Sequence, residues 1–422
     1  MTTSSLSNVW RAAQLLHANA QTTQRTIEDT TRLAHAYGFD IEILPQWDTI
    51  VCRTRDRNDP SAAWQTELLD VRPAGVDMHK VASTNQWIES VCTDPDRADG
   101  AHIERASQTL GEIASYSPSS HLRFTLMAGL GAAALGVIFG VTNPLTLVLI
   151  FFAAVLGAVA RRLLSKVSDN LLIQPFVAAL IAGLVSGYAQ KAFTGEGLQF
   201  VEIAPCMILV PGAHILNSAL DLVRGRLGLG IARATYCVLI LLSICAGLLL
   251  GLSLMDTSLA WGPATSSTPL WLDVLCAGIA VSAFGAFFSL PWHLLAAPVI
   301  VGMLCHGSRW VVIEQGAGLA TGALIACLIA GTIMTILSHR LKLPFAALAF
   351  ASVVSMMPGI FVFRLADGLI SVYLAGRDAS LAMLTAVFAD ATATILIILV
   401  MTFGLILPKM LIEGISASVR KS

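Results

Sequence analysis

The chain has 422 residues, of which 55% are hydrophobic and only 13% charged, well below the one-quarter share of charge usual in soluble domains, roughly 25%. That composition excludes a wholly soluble fold, and a formal net charge of −1 offers no electrostatic basis for binding nucleic acid. The eight cysteines form no Cys-x-x-Cys pair and lie mainly in apolar runs, so no disulfide framework, metal or cofactor is expected.

Residues 1–122 are polar, and their first forty residues lack the apolar core of a signal peptide. The stretch NVWRAAQLLHANAQTTQRTIEDTTRLAHAYG places Val9, Ala12, Leu15, Leu16, Ala20, Ile27, Leu33 and Ala34 at helical spacing, with Gly38 as its C-cap. DTIVCRT and TELLDVR then read as strands, and DMHKVASTNQWIESVC and HIERASQTLGEIAS as two amphipathic helices. A small cytosolic α+β domain follows from this pattern. Its histidines and aspartates, His17, His35, His79, His102, Asp56 and Asp59, are scattered as on a solvated surface.

From residue 123 the chain is almost continuously apolar, dividing into ten segments near the ~20 residues a bilayer requires. They lie at about 124–141, 144–164, 172–190, 198–219, 229–255, 270–290, 293–310, 316–337, 344–374 and 380–407. The seventh is the weakest, with a short apolar stretch and Pro298 inside it. Positive charge fixes the parity. With the N-terminus inside, the inner segments carry Arg161, Arg162 and Lys166, then Arg224, Arg226 and Arg233, then Arg340 and Lys342, then Lys409, Arg420 and Lys421. The outer ones hold only Lys191, Arg309 and Arg377. The expectation is an all-α polytopic membrane protein with ten transmembrane helices and both termini cytoplasmic.

Ten spans divide into a 5+5 repeat, 123–257 and 268–408, followed by a tail at 409–422. Five is odd, so the halves must be inverted. In the fourth span of each half stands Pro-Gly, Pro211–Gly212 and Pro358–Gly359. A proline there frees backbone groups, and the half-helix restarting after it turns its positive end toward mid-membrane. Two such ends from opposite sides would suit a carboxylate, as in secondary transporters with broken helices at matched positions. Asn217 and Arg364 share the same offset after the two prolines and are candidate substrate contacts. His214 lies one turn from Asn217, while Asp221, beside Arg224 and Arg226, reads as a surface salt bridge. Asp367 and Asp390 are intramembrane carboxylates and candidates for proton coupling, although Arg364 and Asp367 could also be a structural ion pair. Ala386 and Thr394 make the face around Asp390 small and polar.

VPGAHILNSALDLVRGRLGLGIARA resembles the signature of the threonine/serine exporter family, and RLKLPFAALAFASVVSMMPGIFVFRLADGLI resembles its second membrane half. LLHANAQTTQRTIEDTTRLAHAYGFD and RPAGVDMHKVASTNQWI are similar to its cytosolic segments. The resemblance implies a ten-span inner-membrane exporter of small amino acids driven by the proton gradient. Relatives split into large and small subunits are associated with dicarboxylate (succinate) export, and this chain looks like a fusion of the two. The expected partners are a small carboxylate-bearing substrate, protons and the lipid bilayer, and a homo-oligomer is compatible with the sequence. A hydrolase or sensor would require a nucleophile–base pair or metal cluster in residues 1–122, and none is visible. A passive channel would need no titratable intramembrane carboxylate.

Overall fold

The computed structural model describes residues 3–59, 61–71, 75–97, 99–259 and 268–419. Arg420 and Lys421 lie outside the described residues, as do Arg72–Ala74 at the start of the second N-terminal segment of the resemblance.

The N-terminal helical stretch is two helices, α1 (Thr3–Ala18) and α2 (Thr23–Ala36), where the sequence suggested one continuous run. Ala20 adopts a left-handed backbone (φ 64°) and turns the chain between them. Three antiparallel strands follow in the order β1 (Phe39–Pro45), β2 (Thr49–Asp56) and β3 (Gln65–Asp70). β1 escaped the sequence reading because FDIEILP carries two acids, Asp40 and Glu42. Those acids pair across the strands, Arg55 to Asp40 and Arg53 to Glu42, each at 2.9 Å. Its Pro45 is tolerated because β1 is an edge strand. α3 (Met78–Thr93) and α4 (Gly100–Ser115) complete the domain around Val9, Leu16, Leu33, Ile50 and Ile88, all fully buried.

The apolar region holds α5 (His121–Ile138), α6 (Pro144–Leu164), α7 (Ile173–Ala192), α8 (Phe200–Met207), α9 (Gly212–Val223) and α10 (Leu227–Leu254). It continues with α11 (Leu270–Phe287), α12 (Ala296–Glu314), α13 (Leu319–Leu341), α14 (Phe345–Val353), α15 (Gly359–Ala375) and α16 (Leu381–Val419). Among the described residues nine helices are long and apolar enough to cross a membrane, or ten if α8 and α9, bent by 53°, form one span. The protein is therefore a multi-pass membrane protein. The weak seventh segment is a full helix, extended by a 3-10 turn at Trp292–Leu294. Pro298 falls in the first turn of α12, where its missing N–H has no intrahelical acceptor to lose.

The helices α5–α10 and α11–α16 have matching neighbours. α6 packs on α5, α7 and α8, as α12 packs on α11, α13 and α14. α7 packs on α10 as α13 does on α16, and α9 on α10 as α15 on α16. The two sets meet through α5 and α11 and through α9 and α14.

The N-terminal domain closes over one end of this bundle. Met78 N donates to Phe288 O (2.9 Å), and Asn85 Nδ2 to Lys342 O (2.8 Å), beyond the ends of α11 and α13. The α1–α2 turn, Asn19 to Thr22, is buried against α9 and α10. His17 sits just behind that turn, its Nε2 donating to Gln46 O at 2.9 Å. Burial, and then the charge of Arg233, push its pKa down to about 4 from an ordinary 6.5. The unfolded chain therefore takes up the proton that the folded state refuses, so this contribution is complete above pH 6.5 and is lost as pH falls toward 4. Lowering the pH from 7 to 5 should cost about 2 kcal/mol at this residue. Thermal unfolding of the detergent-solubilised protein should show that loss, and His17→Gln should flatten it.

Candidate functional site

Both Pro-Gly pairs break their helices, and they do so in the same conformation. Pro211 has φ −81° and ψ 54°, Pro358 has φ −77° and ψ 40°. In each, the glycine N–H turns back onto the carbonyl two residues earlier, Gly212 to Val210 (2.9 Å) and Gly359 to Met357 (2.8 Å). These are inverse γ-turns centred on proline. α9 and α15 restart at the glycines.

The breaks close on one another. Gly212 lies flat against the ring of Phe350 in α14, where a Cβ would collide with it. Gly359 lies against Met207 at the end of α8, where a Cβ would stand 2.9 Å from Cγ. Each half-helix start thus needs glycine because the other broken helix occupies the side-chain position.

Beside the second break is a cavity of about 310 Å³, bordered by Ser355, Met356, Met357 and Pro358 and by Asp273, Arg309, Trp310 and Glu314. It lies at the end of the bundle away from the N-terminal domain. Asp273, near the start of α11, is buried and accepts from His306 Nδ1 at 2.9 Å. The other ring nitrogen of His306 meets the Ser355 hydroxyl. A carboxylate, an imidazole and a hydroxyl thus run in a chain from α11 through α12 to the break. Arg309 stands one turn beyond His306 and makes no hydrogen bond or ion pair among the described residues. The cavity consequently presents both signs of charge. Asp273, His306, Arg309 and Ser355 were missed in the sequence, where Arg309 was counted as an outer-loop charge. The signal was available: an acid inside the sixth span, and His306 and Arg309 at i,i+3 in the seventh.

Arg364, Asp367 and Asp390 come together in a separate cavity of about 240 Å³ between α15 and α16, with Gly368, Ser371 and Ala386. Arg364 Nε donates to Asp390 Oδ2 at 3.1 Å, so the ion pair runs between the two helices. Asp390 is buried and Arg364 half-buried, while the hydroxyl of Thr394, one turn on, is enclosed without a hydrogen-bond partner among the described residues.

Asn217 lies elsewhere. Its Nδ2 donates to Ala20 O in the α1–α2 turn at 3.1 Å. Asp221 is not on the surface, as the sequence suggested. It is 1% exposed and bonded to Arg233 (2.6 Å) and Thr23 (3.0 Å), with Arg226 at 3.6 Å. Arg233 reaches it from inside α10, one helix further along. His214 packs edge-on against Tyr236 and Trp47. The polar followers of the first break are therefore engaged with the N-terminal domain, whereas Arg364 after the second pairs with α16.

Comparison with known proteins agrees with this architecture. The family model described as "Putative threonine/serine exporter" matches residues 8–255, and that described as "Threonine/Serine exporter, ThrE" matches residues 273–411. The chain belongs to the threonine/serine exporter family. A Mycobacterium tuberculosis relative named "Probable threonine/serine exporter" is 23% identical over 370 residues, 84% of this chain and 68% of that protein. A Klebsiella aerogenes relative named "Probable succinate transporter subunit YjjP" is 28% identical over 109 residues, 25% of this chain and 42% of that protein. No solved structure matches the chain. The first family match of this exporter-family protein ends just after α10 and the second begins within the first turn of α11, close to where the two sets of matching helices divide.

The crosswise closure is testable by stability. Gly212→Val should lower the thermal midpoint, with overpacking of about 1–3 kcal/mol against Phe350. Gly414→Ala in α16, whose added Cβ meets nothing within 4 Å, should not lower the midpoint.

Proposed function

We propose that this protein exports small amino acids, threonine or serine first, from the cytoplasm across a bacterial inner membrane, with both termini inside and with protons as the coupling ion. The observation that carries this reading is the crossed pair of Pro-Gly breaks beside a cavity with charges of both signs. A zwitterion needs a cation for its carboxylate and an anion for its ammonium, and Arg309 and Asp273 stand in that cavity. A dicarboxylate would meet Asp273 and Glu314 as like charges. The matching neighbours of α5–α10 and α11–α16 support an inverted 5+5 repeat. Arg224, Arg226, Lys342 and Lys409 at the end carrying the N-terminal domain support its cytoplasmic placement.

Half-helices that restart against each other provide a centre about which the two halves can rock. In this reading Asp390, with Asp367 beside it, carries the proton, and its protonation would dissolve the pair with Arg364.

Loaded cells or proteoliposomes should release labelled threonine and serine faster than succinate, and an uncoupler should collapse that release. Asp390→Asn should reduce gradient-driven efflux at least tenfold while leaving threonine–threonine exchange measurable. Efflux at the wild-type rate from that variant would remove Asp390 from the proton path. Pro211→Ala combined with Pro358→Ala should slow both modes, and unchanged transport would reduce both breaks to kinks.

A further inference from the structure

The end of the bundle beneath the N-terminal domain has its own cavity, about 350 Å³, bordered by Arg161, Arg162, Lys80, Asp77, Asn19 and Gln174. Arg161 also borders a narrow gap that runs to Pro205, Ile208 and Leu209, at the first break. Its guanidinium lies 4.7 Å from the ring centre of Phe287 and 5.8 Å from that of Phe124. Its Nε is enclosed and donates to no acceptor among the described residues. Neighbouring Arg162 is occupied, donating to Ser119 O at 2.7 Å. Asp77 is occupied too, accepting from Lys80 N at 3.0 Å to cap α3. Cation–π contact only partly offsets the desolvation of a buried cation. The missing partner is an anion.

Arg309 is its counterpart at the opposite end, in a cavity that also holds Asp273. It lies on α12, which has the same neighbours that α6 provides for Arg161. It stands before Pro358 almost as far along the chain as Arg161 stands before Pro211. It too borders a cavity at its own break and makes no hydrogen bond or ion pair among the described residues.

We infer that Arg161 and Arg309 are a matched pair of carboxylate-receiving groups, Arg161 taking the substrate on the face that carries the N-terminal domain and Arg309 holding it on the opposite face. This rests on the exporter reading for the identity of the substrate, and on the two cavities for the chemistry. A guanidinium can grip a carboxylate through two parallel hydrogen bonds, which a lysine cannot do. The two arginines serve in alternation, since each is confined to one side of the crossed breaks.

The test is initial-rate transport of labelled threonine by the full chain in proteoliposomes, measured separately from each face. Arg161→Gln should raise the half-saturation concentration about tenfold or more on the N-terminal-domain face and change the other face little. Arg309→Gln should do the reverse. Arg161→Lys, which keeps the charge and the aromatic contact, should give a smaller rise on the same face and covers the case in which Arg161→Gln fails to fold. Threonine amide, lacking the carboxylate, should compete weakly against wild type and no more weakly against either variant. Unchanged half-saturation on the assigned face, an equal rise on both faces, or strong competition by the amide would overturn the pairing. Calorimetric titration of the same proteins with threonine and with succinate separates the two readings. If wild type binds and moves only succinate, and does so through these arginines, the amino-acid reading falls and the pairing stands. If threonine is transported with both variants at wild-type half-saturation, the pairing falls and the exporter reading stands. If wild type neither binds nor moves either compound, both fall.

Discussion

A helix broken inside a bilayer exposes backbone groups that lipid cannot satisfy, so protein must enclose the break on every side. This constraint organises the membrane region. The short helices leading into the two breaks, α8 and α14, are buried at every residue. Each break is roofed by the other, Gly212 by Phe350 and Gly359 by Met207. Neither could be sealed so tightly by a helix with a side chain at the glycine position. The remaining long helices form a shell around this crossing, and their exposed leucines and phenylalanines face outward as the bilayer demands.

The same crossing explains why the two ends of the molecule differ chemically. After the first break, α9 runs toward the N-terminal domain, and its polar residues are bonded into that domain through Ala20 and Thr23. After the second, α15 runs away from it. Only Gly359 and Phe363 of that helix are buried, and its Arg364 is paired with Asp390 of α16. Equal offsets from proline thus lead to unequal surroundings. Asn217 meets a backbone carbonyl of a soluble domain, whereas Arg364 meets a carboxylate on the next helix.

The breaks themselves were legible because proline and glycine act locally: a missing N–H and a missing Cβ have their effect wherever the neighbours happen to be. The intramembrane acids Asp367 and Asp390 were legible for a similar reason, being costly in any lipid setting. β1 was not, since Asp40 and Glu42 find their arginines only across the sheet. Asp221 looked like a surface residue among arginines, and it is buried because α10 brings Arg233 back over it. Arg161, Arg162 and Arg309 had been counted as loop charges, yet α6 and α12 carry them within helices. A count of charge by segment cannot see that a helix continues past its apolar stretch.

The sequence by itself determined that this chain enters the membrane many times, where its two helices break, and that a small α+β domain precedes them. Those features depend on the composition and backbone chemistry of contiguous residues. Tertiary structure alone decided that the breaks interlock, that Asp273, His306 and Ser355 form a chain at one of them, and that Arg161 and Arg309 border cavities at opposite ends without a hydrogen bond among the described residues. These depend on contacts between helices far apart along the chain, and distance in sequence carries no information about which side chain will fill a gap or leave it open.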